Sequence, residues 1–253
     1  MSVLLWVTPE LLACNKPPGF SVATGKRHGL PVEERLRPLI AAEDPACASG
    51  PLFLVHRLDV GTSGVLLVAR SARMHRQLAQ ALARGEIHRQ YLALVWGKPR
   101  PQEGVWEVPL APDPKDRRKM CPHPGGKRAV TWYRRLGFRP PVSLVLLTPH
   151  TGRTHQLRVH LASAGHPIVG DDLYGGPRHH GVNDPQGRAV LAPPHPLLHA
   201  WRVQLPGELS PEPVQAPLPP AFARALATLG LAEAVHHLSV LPPMPGRRNQ
   251  RGA

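Results

Sequence analysis

The chain has 253 residues, 42% hydrophobic and 19% charged, which is enough apolar content to bury a core of one to two domains and excludes wholesale disorder. Lysine and arginine outnumber aspartate and glutamate 31 to 17, and the net charge of +14 attracts polyanions, nucleic acid first among them. Cys14, Cys47 and Cys121 are widely spaced and form no disulfide framework, the opening apolar run lacks a basic flank, and no stretch reaches about 18 apolar residues. The expectation is a soluble, cytoplasmic protein.

In chain order, Leu11 to Asn15 reads as a strand ending at the turn Lys16-Pro17-Pro18-Gly19. Leu52 to His56 and Gly64 to Ala69 are strand-length apolar runs flanking Arg57-Leu58-Asp59-Val60-Gly61-Thr62-Ser63. Ser71 caps a helix whose Met74, Leu78, Ala81 and Leu82 recur at helical spacing, and Gly85 closes it. Tyr91 to Trp96, Ala129 to Tyr133 and Leu144 to Thr148 read as further strands. Residues 154–164 read as a helix, with Leu157 and Leu161 on one face and Arg158 turned away from them. After the proline-rich stretch 206–220, a short Ala/Leu helix runs from Ala221 to about Leu229, followed by Gly230. Few helices among many strands predict an α+β fold around a mixed sheet.

Charge is concentrated between Lys115 and Arg135, where eight Lys/Arg meet one acid, Asp116. Gly125-Gly126 lies inside this run, which therefore reads as a mobile basic loop that closes on phosphates. Residues 239–253 hold Arg247, Arg248 and Arg251 and no acid, and the expectation is a disordered basic tail.

On pattern alone, Asp59 is a turn-capping carboxylate, Tyr91 an aromatic in a half-buried strand, Arg57 a turn arginine and Arg158 an exposed helix arginine. His-Arg-Leu-Asp-x-x-Thr-Ser-Gly at 56–64 nevertheless resembles the signature of the RluA family of pseudouridine synthases. Other motifs follow the family in order: Asn-Lys-Pro-x-Gly at 15–19, Gln-Tyr-x-Ala-x-Val-Trp-Gly at 90–97 and Thr-Gly-Arg-Thr-His-Gln-Leu-Arg-Val-His at 151–160. Gly-His-Pro-Ile-Val-Gly-Asp at 165–171, Tyr174-Gly175 and Leu198-His199-Ala200 complete the series. The resemblance spans about residues 11–222.

It implies the pseudouridine synthase fold, a mixed, mainly antiparallel sheet flanked by helices, with a central RNA-binding cleft. It also implies a catalytic domain at 1–222, with 223–253 as a short helix and tail. The implied activity is an isomerase acting on uridines of structured RNA, an rRNA or tRNA stem-loop, as a monomer and without a cofactor. Asp59 takes the place of the family's catalytic aspartate, Tyr91 of its active-site tyrosine, and Arg158 of the basic residue paired with that carboxylate. Arg57 resembles the arginine that occupies the space of the flipped base. Arg153, His155, Lys115, Arg117, Arg118 and Lys119 are the further RNA-binding candidates.

Where relatives have a His-Pro after the first motif, Val22-Ala23-Thr24-Gly25 stands here. The small amino-terminal RNA-binding domain of many relatives is not expected before Leu11. His155, His160 and His166 cluster in the sequence, but 155 and 160 are five apart on the expected helix and no cysteine or acid completes a ligand set, so no metal site is expected. Two other readings stay open: a non-catalytic RNA-binding or RNA-folding protein on the same scaffold, and a basic nuclease using the histidines. An intact Asp59, Tyr91 and Arg158 speaks against the first. The second lacks a base–acid pair at fixed spacing.

Overall fold

A computed structural model of the chain describes residues 2–20, 32–175, 178–210, 212–236 and 238. The segment Val22 to Gly25 and the tail 239–253 lie outside the described residues. The chain opens with β1 (Leu4–Val7) and β2 (Leu11–Lys16), then α1 (Val32–Glu43), α2 (Pro45–Ala48), the short β3 (Phe53–Leu54) and β4 (Ser63–Ala69). Helix α3 (Ala72–Arg84) leads to β5 (His88–Trp96), β6 (Glu103–Glu107) and a hairpin of β7 (Leu110–Pro112) and β8 (Met120–Pro122). Strands β9 (Val130–Arg139) and β10 (Val142–Pro149) precede α4 (Gln156–Ser163) and α5 (Pro185–Val190). Strands β11 (Leu198–Gln204) and β12 (Val214–Gln215) and helices α6 (Pro220–Thr228) and α7 (Glu233–His236) follow.

Ten strands form one sheet in the order β1-β2-β4-β11-β5-β10-β9-β6, with β3 beside β4 and β12 beside β11. Every pairing is antiparallel except β11 with β4, where His199 faces Ser63 and Ala200 faces Gly64. The sheet is mixed and mainly antiparallel, as expected. Its one parallel contact depends on Gly64, at φ +108, because a Cβ there would lie 2.1 Å from the Ala200 carbonyl oxygen.

Side chains alternate between two buried faces, so the central strands are apolar on both sides. One face carries Leu12, Leu66, Tyr91, Ala93, Val145 and Leu147, covered by Leu36 and Ile40 of α1 and Leu157 and Leu161 of α4. On the opposite face, Leu92, Leu94, Leu144 and Leu146 pack on Phe222 and Leu226 of α6. Further along that face, Val65 and Leu67 pack on Met74, Leu78 and Ala81 of α3.

Helix α3 forms as its sequence directs: the Ser71 side chain accepts from the Met74 N–H and Gly85 ends it in the left-handed conformation. Its three buried apolar residues contribute on the order of 1.5–3 kcal/mol for each large side chain. Helix α1 is a surprise, because Pro38 sits inside it. The strand expected at 52–56 shrinks to Phe53–Leu54, as the chain leaves the sheet to form the loop that carries Asp59. The boundary expected at 222/223 falls inside α6, which buries Phe222, Ala225 and Leu226 as one piece.

Candidate active site

An open cleft of about 700 Å³ lies over β5 and β11, between the loop before β4 and the loop joining β10 to α4. Asp59, Arg57, Tyr91, Arg153 and His155 all line it. These sequence-predicted candidates therefore come together from three distant segments, and Arg158, not itself among the lining residues, reaches Asp59 from α4.

Asp59 sits in a turn in which the Thr62 N–H donates to its carbonyl at 3.0 Å. Its side chain keeps 28% of its exposure, so the carboxylate opens onto the cleft. Two neighbours hold the following residue: Gly19 N and Lys16 Nζ both donate to the Val60 carbonyl, at 2.8 and 3.1 Å. Lys16 is fully buried, and its ammonium also donates to the Pro17 and Phe20 carbonyls, each at 2.9 Å. Burial pushes Lys16 down to about 7, with Asp59 acting in the opposite direction. Three acceptors for three donors tie the end of β2 to the Asp59 loop.

Arg158 lies on α4 but is not the exposed helix arginine that periodicity suggests, because only 11% of its side chain is accessible. Nε and Nη2 donate to the two oxygens of Asp171, each at 2.7 Å, in a fork-to-fork pair. The remaining Nη1 is 3.7 Å from Asp59 Oδ2, and the guanidinium lies 4.9 Å over the Tyr174 ring. Burial opposes the charge, but Asp171 and then Asp59 outweigh it and hold Arg158 above the usual arginine range. Asp171 is itself fully buried and accepts from the Leu173 and Tyr174 N–H groups at 3.2 Å.

Helix α4 begins two residues later than expected, at Gln156. Buried Gln156 clamps the preceding loop: its Oε1 accepts from Thr151 Oγ1 and Arg153 N, and its Nε2 donates to the Val130 carbonyl and Thr131 Oγ1. His155 thus precedes the helix and adopts φ 55, the one positive φ outside glycine among the described residues. Its Nε2 is 4.0 Å from Asp59 Oδ1. Burial lowers its pKa first of all; Arg158 and Arg57 act in the same direction, and Asp59 and Asp171 oppose them.

Tyr91 is buried on β5, opposite Leu147 of β10 and Ala200 of β11. Burial raises its pKa, so the hydroxyl stays protonated at neutral pH. Arg57 is exposed at the cleft, and Arg153, also exposed, donates through Nε to the Arg128 carbonyl at 2.9 Å.

Lys115, Arg117, Arg118 and Lys119 are not brought into the cleft. The expected mobile loop is instead divided among the turn of the β7–β8 hairpin, β8 itself, the β8–β9 connection that holds Gly125-Gly126, and the first half of β9. Asp113 Oδ1 accepts from the Lys115 and Asp116 N–H groups, and Arg118 pairs with Asp116 at 2.8 Å, so local bonds order the turn. The charge run is divided further: Arg128 pairs with Glu107 and Arg134 lies beside Glu103.

The three histidines separate. His160 is buried against Thr131 Oγ1 and the Val108 carbonyl, and His166 Nδ1 faces the Trp96 carbonyl. Among the described residues, no group of three or more His, Cys, Asp or Glu is placed to hold a metal. Sequence reasoning missed Lys16, Arg89, Asp171 and Tyr174 as members of the site. All but Arg89 lie inside the family motifs quoted above, which was the available signal; Arg89 lines the cleft just before the third motif.

A family model described as RNA pseudouridylate synthase matches residues 10–163. The chain is 36% identical over 225 residues to an uncharacterized RNA pseudouridine synthase of Zymomonas mobilis, covering 87% of this chain and 94% of that one. It is 36% identical over 203 residues to the dual-specificity RNA pseudouridine synthase RluA of Escherichia coli, covering 78% and 84%. It is 37% identical over 234 residues to ribosomal large subunit pseudouridine synthase D of Xanthomonas campestris, covering 89% and 69%. Among solved structures, human RNA pseudouridylate synthase domain containing 4 aligns with a TM-score of 0.72 at 27% identity, over 90% of this chain and 92% of that one. Fold and relatives define the class: an isomerase that converts uridine to pseudouridine in RNA. The chain belongs to the RluA family of RNA pseudouridine synthases.

Proposed function

We propose that the protein isomerises specific uridines of folded ribosomal or transfer RNA, with Asp59 as the catalytic carboxylate. One observation carries this reading. The Asp59 carboxylate opens into the cleft with Arg158 Nη1 facing one oxygen and His155 Nε2 the other, while Tyr91 lines the same space. The names of relatives that act on large-subunit RNA, or on RNA with dual specificity, support the choice of substrate.

In the reaction the N1–C1′ bond breaks, C5 joins C1′, and the C5 proton is replaced by one on N1. No external electrons are needed. Asp59 acts as an anion on the sugar or base, as nucleophile or as base. Arg158 orients it through Nη1. Tyr91 supplies a ring for the uracil and a hydroxyl for proton transfer. Extruding the uridine costs about a few kcal/mol, and Arg57 occupies the space it leaves. Arg153 and the basic hairpin Lys115, Arg117, Arg118 and Lys119 hold the flanking phosphates. One chain supplies every group of this set, which supports a monomer. Three unpaired cysteines support a reducing, cytoplasmic setting.

The test is a map of pseudouridines in rRNA and tRNA from cells with and without the gene. Sites that disappear with the gene and return with the native chain but not with Asp59→Asn support the reading. An unchanged map in both RNAs overturns the substrate assignment.

A further inference from the structure

His155 lies between a tyrosine and the carboxylate. Tyr174 Oη is 2.7 Å from His155 Nδ1, and it also accepts the Met120 N–H at 2.8 Å. The rings meet edge to face, with centroids 5.5 Å apart at 83°. With one lone pair of Oη committed to Met120, the hydroxyl proton points to Nδ1. That nitrogen is then the acceptor, so the imidazole's own proton sits on Nε2. Nε2 is the atom that faces Asp59 Oδ1, at 4.0 Å, while Arg158 Nη1 faces Oδ2 at 3.7 Å. The backbone that aims the ring is itself unusual: φ 55 at a residue with a Cβ costs energy and persists only where the surroundings enforce it.

We propose that His155 is a positioning residue for Asp59, and that Tyr174 selects the imidazole tautomer presenting Nε2–H to the carboxylate. On RNA binding the 4.0 Å gap closes and each carboxylate oxygen has its own N–H donor, which fixes the torsion of Asp59 for its encounter with the nucleotide. The other tautomer would turn a lone pair on the carboxylate. The charged and titratable groups facing the imidazole are Asp59, Arg158, Asp171, Arg57 and Tyr174.

The proposal rests on Asp59 as the catalytic carboxylate, and the experiment separates the two. Bulk RNA labelled with 5-tritiated uridine, taken from cells lacking the gene, is incubated with the native full chain, Tyr174→Phe, His155→Gln, the double variant and Asp59→Asn. Tritium release gives kcat and KM between pH 4.5 and 8.5, a range that extends well below the ordinary imidazole value because burial lowers that of His155. Tyr174→Phe is expected to lose about tenfold in kcat at pH 8, the worth of one hydrogen bond to a charged group. Its KM is expected to stay within twofold. Relative to native, its kcat is expected to recover as pH falls, because an imidazolium carries N–H on both nitrogens and needs no tautomer selection. His155→Gln shows the loss without the acid recovery, and the double variant is no worse than His155→Gln.

A Tyr174→Phe to native ratio that stays flat with pH, or additive losses in the double variant, overturns the proposal. His155→Asn, a side chain tolerant of left-handed backbone, replaces His155→Gln if the latter does not fold. Full activity in Asp59→Asn overturns the underlying reading instead.

Discussion

Arg158 and Asp171 form the tightest ion pair of the site: two nitrogens on two oxygens, each at 2.7 Å, with the Asp171 side chain fully buried. The catalytic candidate Asp59 receives only the third nitrogen, at 3.7 Å. Arg158 is therefore held in place by a carboxylate outside the reacting set, and this leaves Asp59 free to meet the substrate.

Asp171→Asn should leave Arg158 buried beside a group that can no longer take both forks. Removing one member of a buried pair costs about 3–5 kcal/mol. A clear fall in Tm, with a turnover loss of at least about tenfold from misplacement of Arg158, is the expected outcome. Native turnover in a destabilised variant would show that Asp171 serves stability alone.

Asp59→Asn keeps the shape and removes the charge that either chemical route requires. Tritium release should vanish, while RNA affinity and Tm stay close to native, since the Asp59 side chain is partly exposed and Arg158 keeps Asp171 as its partner. Substantial release by this variant would remove Asp59 from the reaction.

Tyr91→Phe retains the ring on β5 and deletes only the hydroxyl. Turnover should fall by about 10²-fold or more if that hydroxyl transfers a proton, with unchanged RNA affinity. Near-native turnover would reduce Tyr91 to a packing and stacking role.

Acid should destabilise the fold through two buried histidines. Burial pushes His56 down to about 3 and His199 down to about 4. His56 Nε2 accepts the Leu67 N–H; His199 accepts from Ser63 Oγ and donates to the Ala216 carbonyl, all bonds of a neutral ring. Because these folded values lie below the unfolded value of about 6.5, the stability is fully present above pH 6.5 and is lost as pH falls towards the folded values. The slope is about 1.4 kcal/mol per pH unit per histidine. Urea unfolding between pH 7.5 and 5 should show it, and His199→Gln should flatten the slope by one proton despite a lower starting stability. Parallel slopes would clear His199.

The basic hairpin should act through salt-sensitive affinity. Lys115 and Arg117 are exposed and their side chains enter no ion pair among the described residues, unlike Arg118. Changing both to Ala should weaken RNA binding at low salt and make the salt dependence shallower by about 0.7 per lost single-strand phosphate contact. An unchanged slope would place the RNA elsewhere.

The sequence by itself determined the family, because several long motifs stand in one order, and it determined elements whose signals are local. Helix α3 is the clearest case: its cap, its apolar spacing and its closing glycine lie within fifteen residues. The membership of Asp59, Tyr91, His155, Arg57 and Arg153 in one cleft followed from the resemblance and is seen in the fold. Tertiary structure alone decided how those residues are held. That Asp171 rather than Asp59 takes the forks of Arg158, that Tyr174 reaches His155, and that Lys16 anchors the Asp59 loop are bonds between segments which only packing brings together. The same holds for the corrections. Gln156 binds the preceding loop and pushes His155 out of the helix, and Pro38 conceals a helix that burial of Leu36 and Ile40 stabilises. Periodicity records which face of an element is apolar. It does not record which buried charge another segment will bring to it.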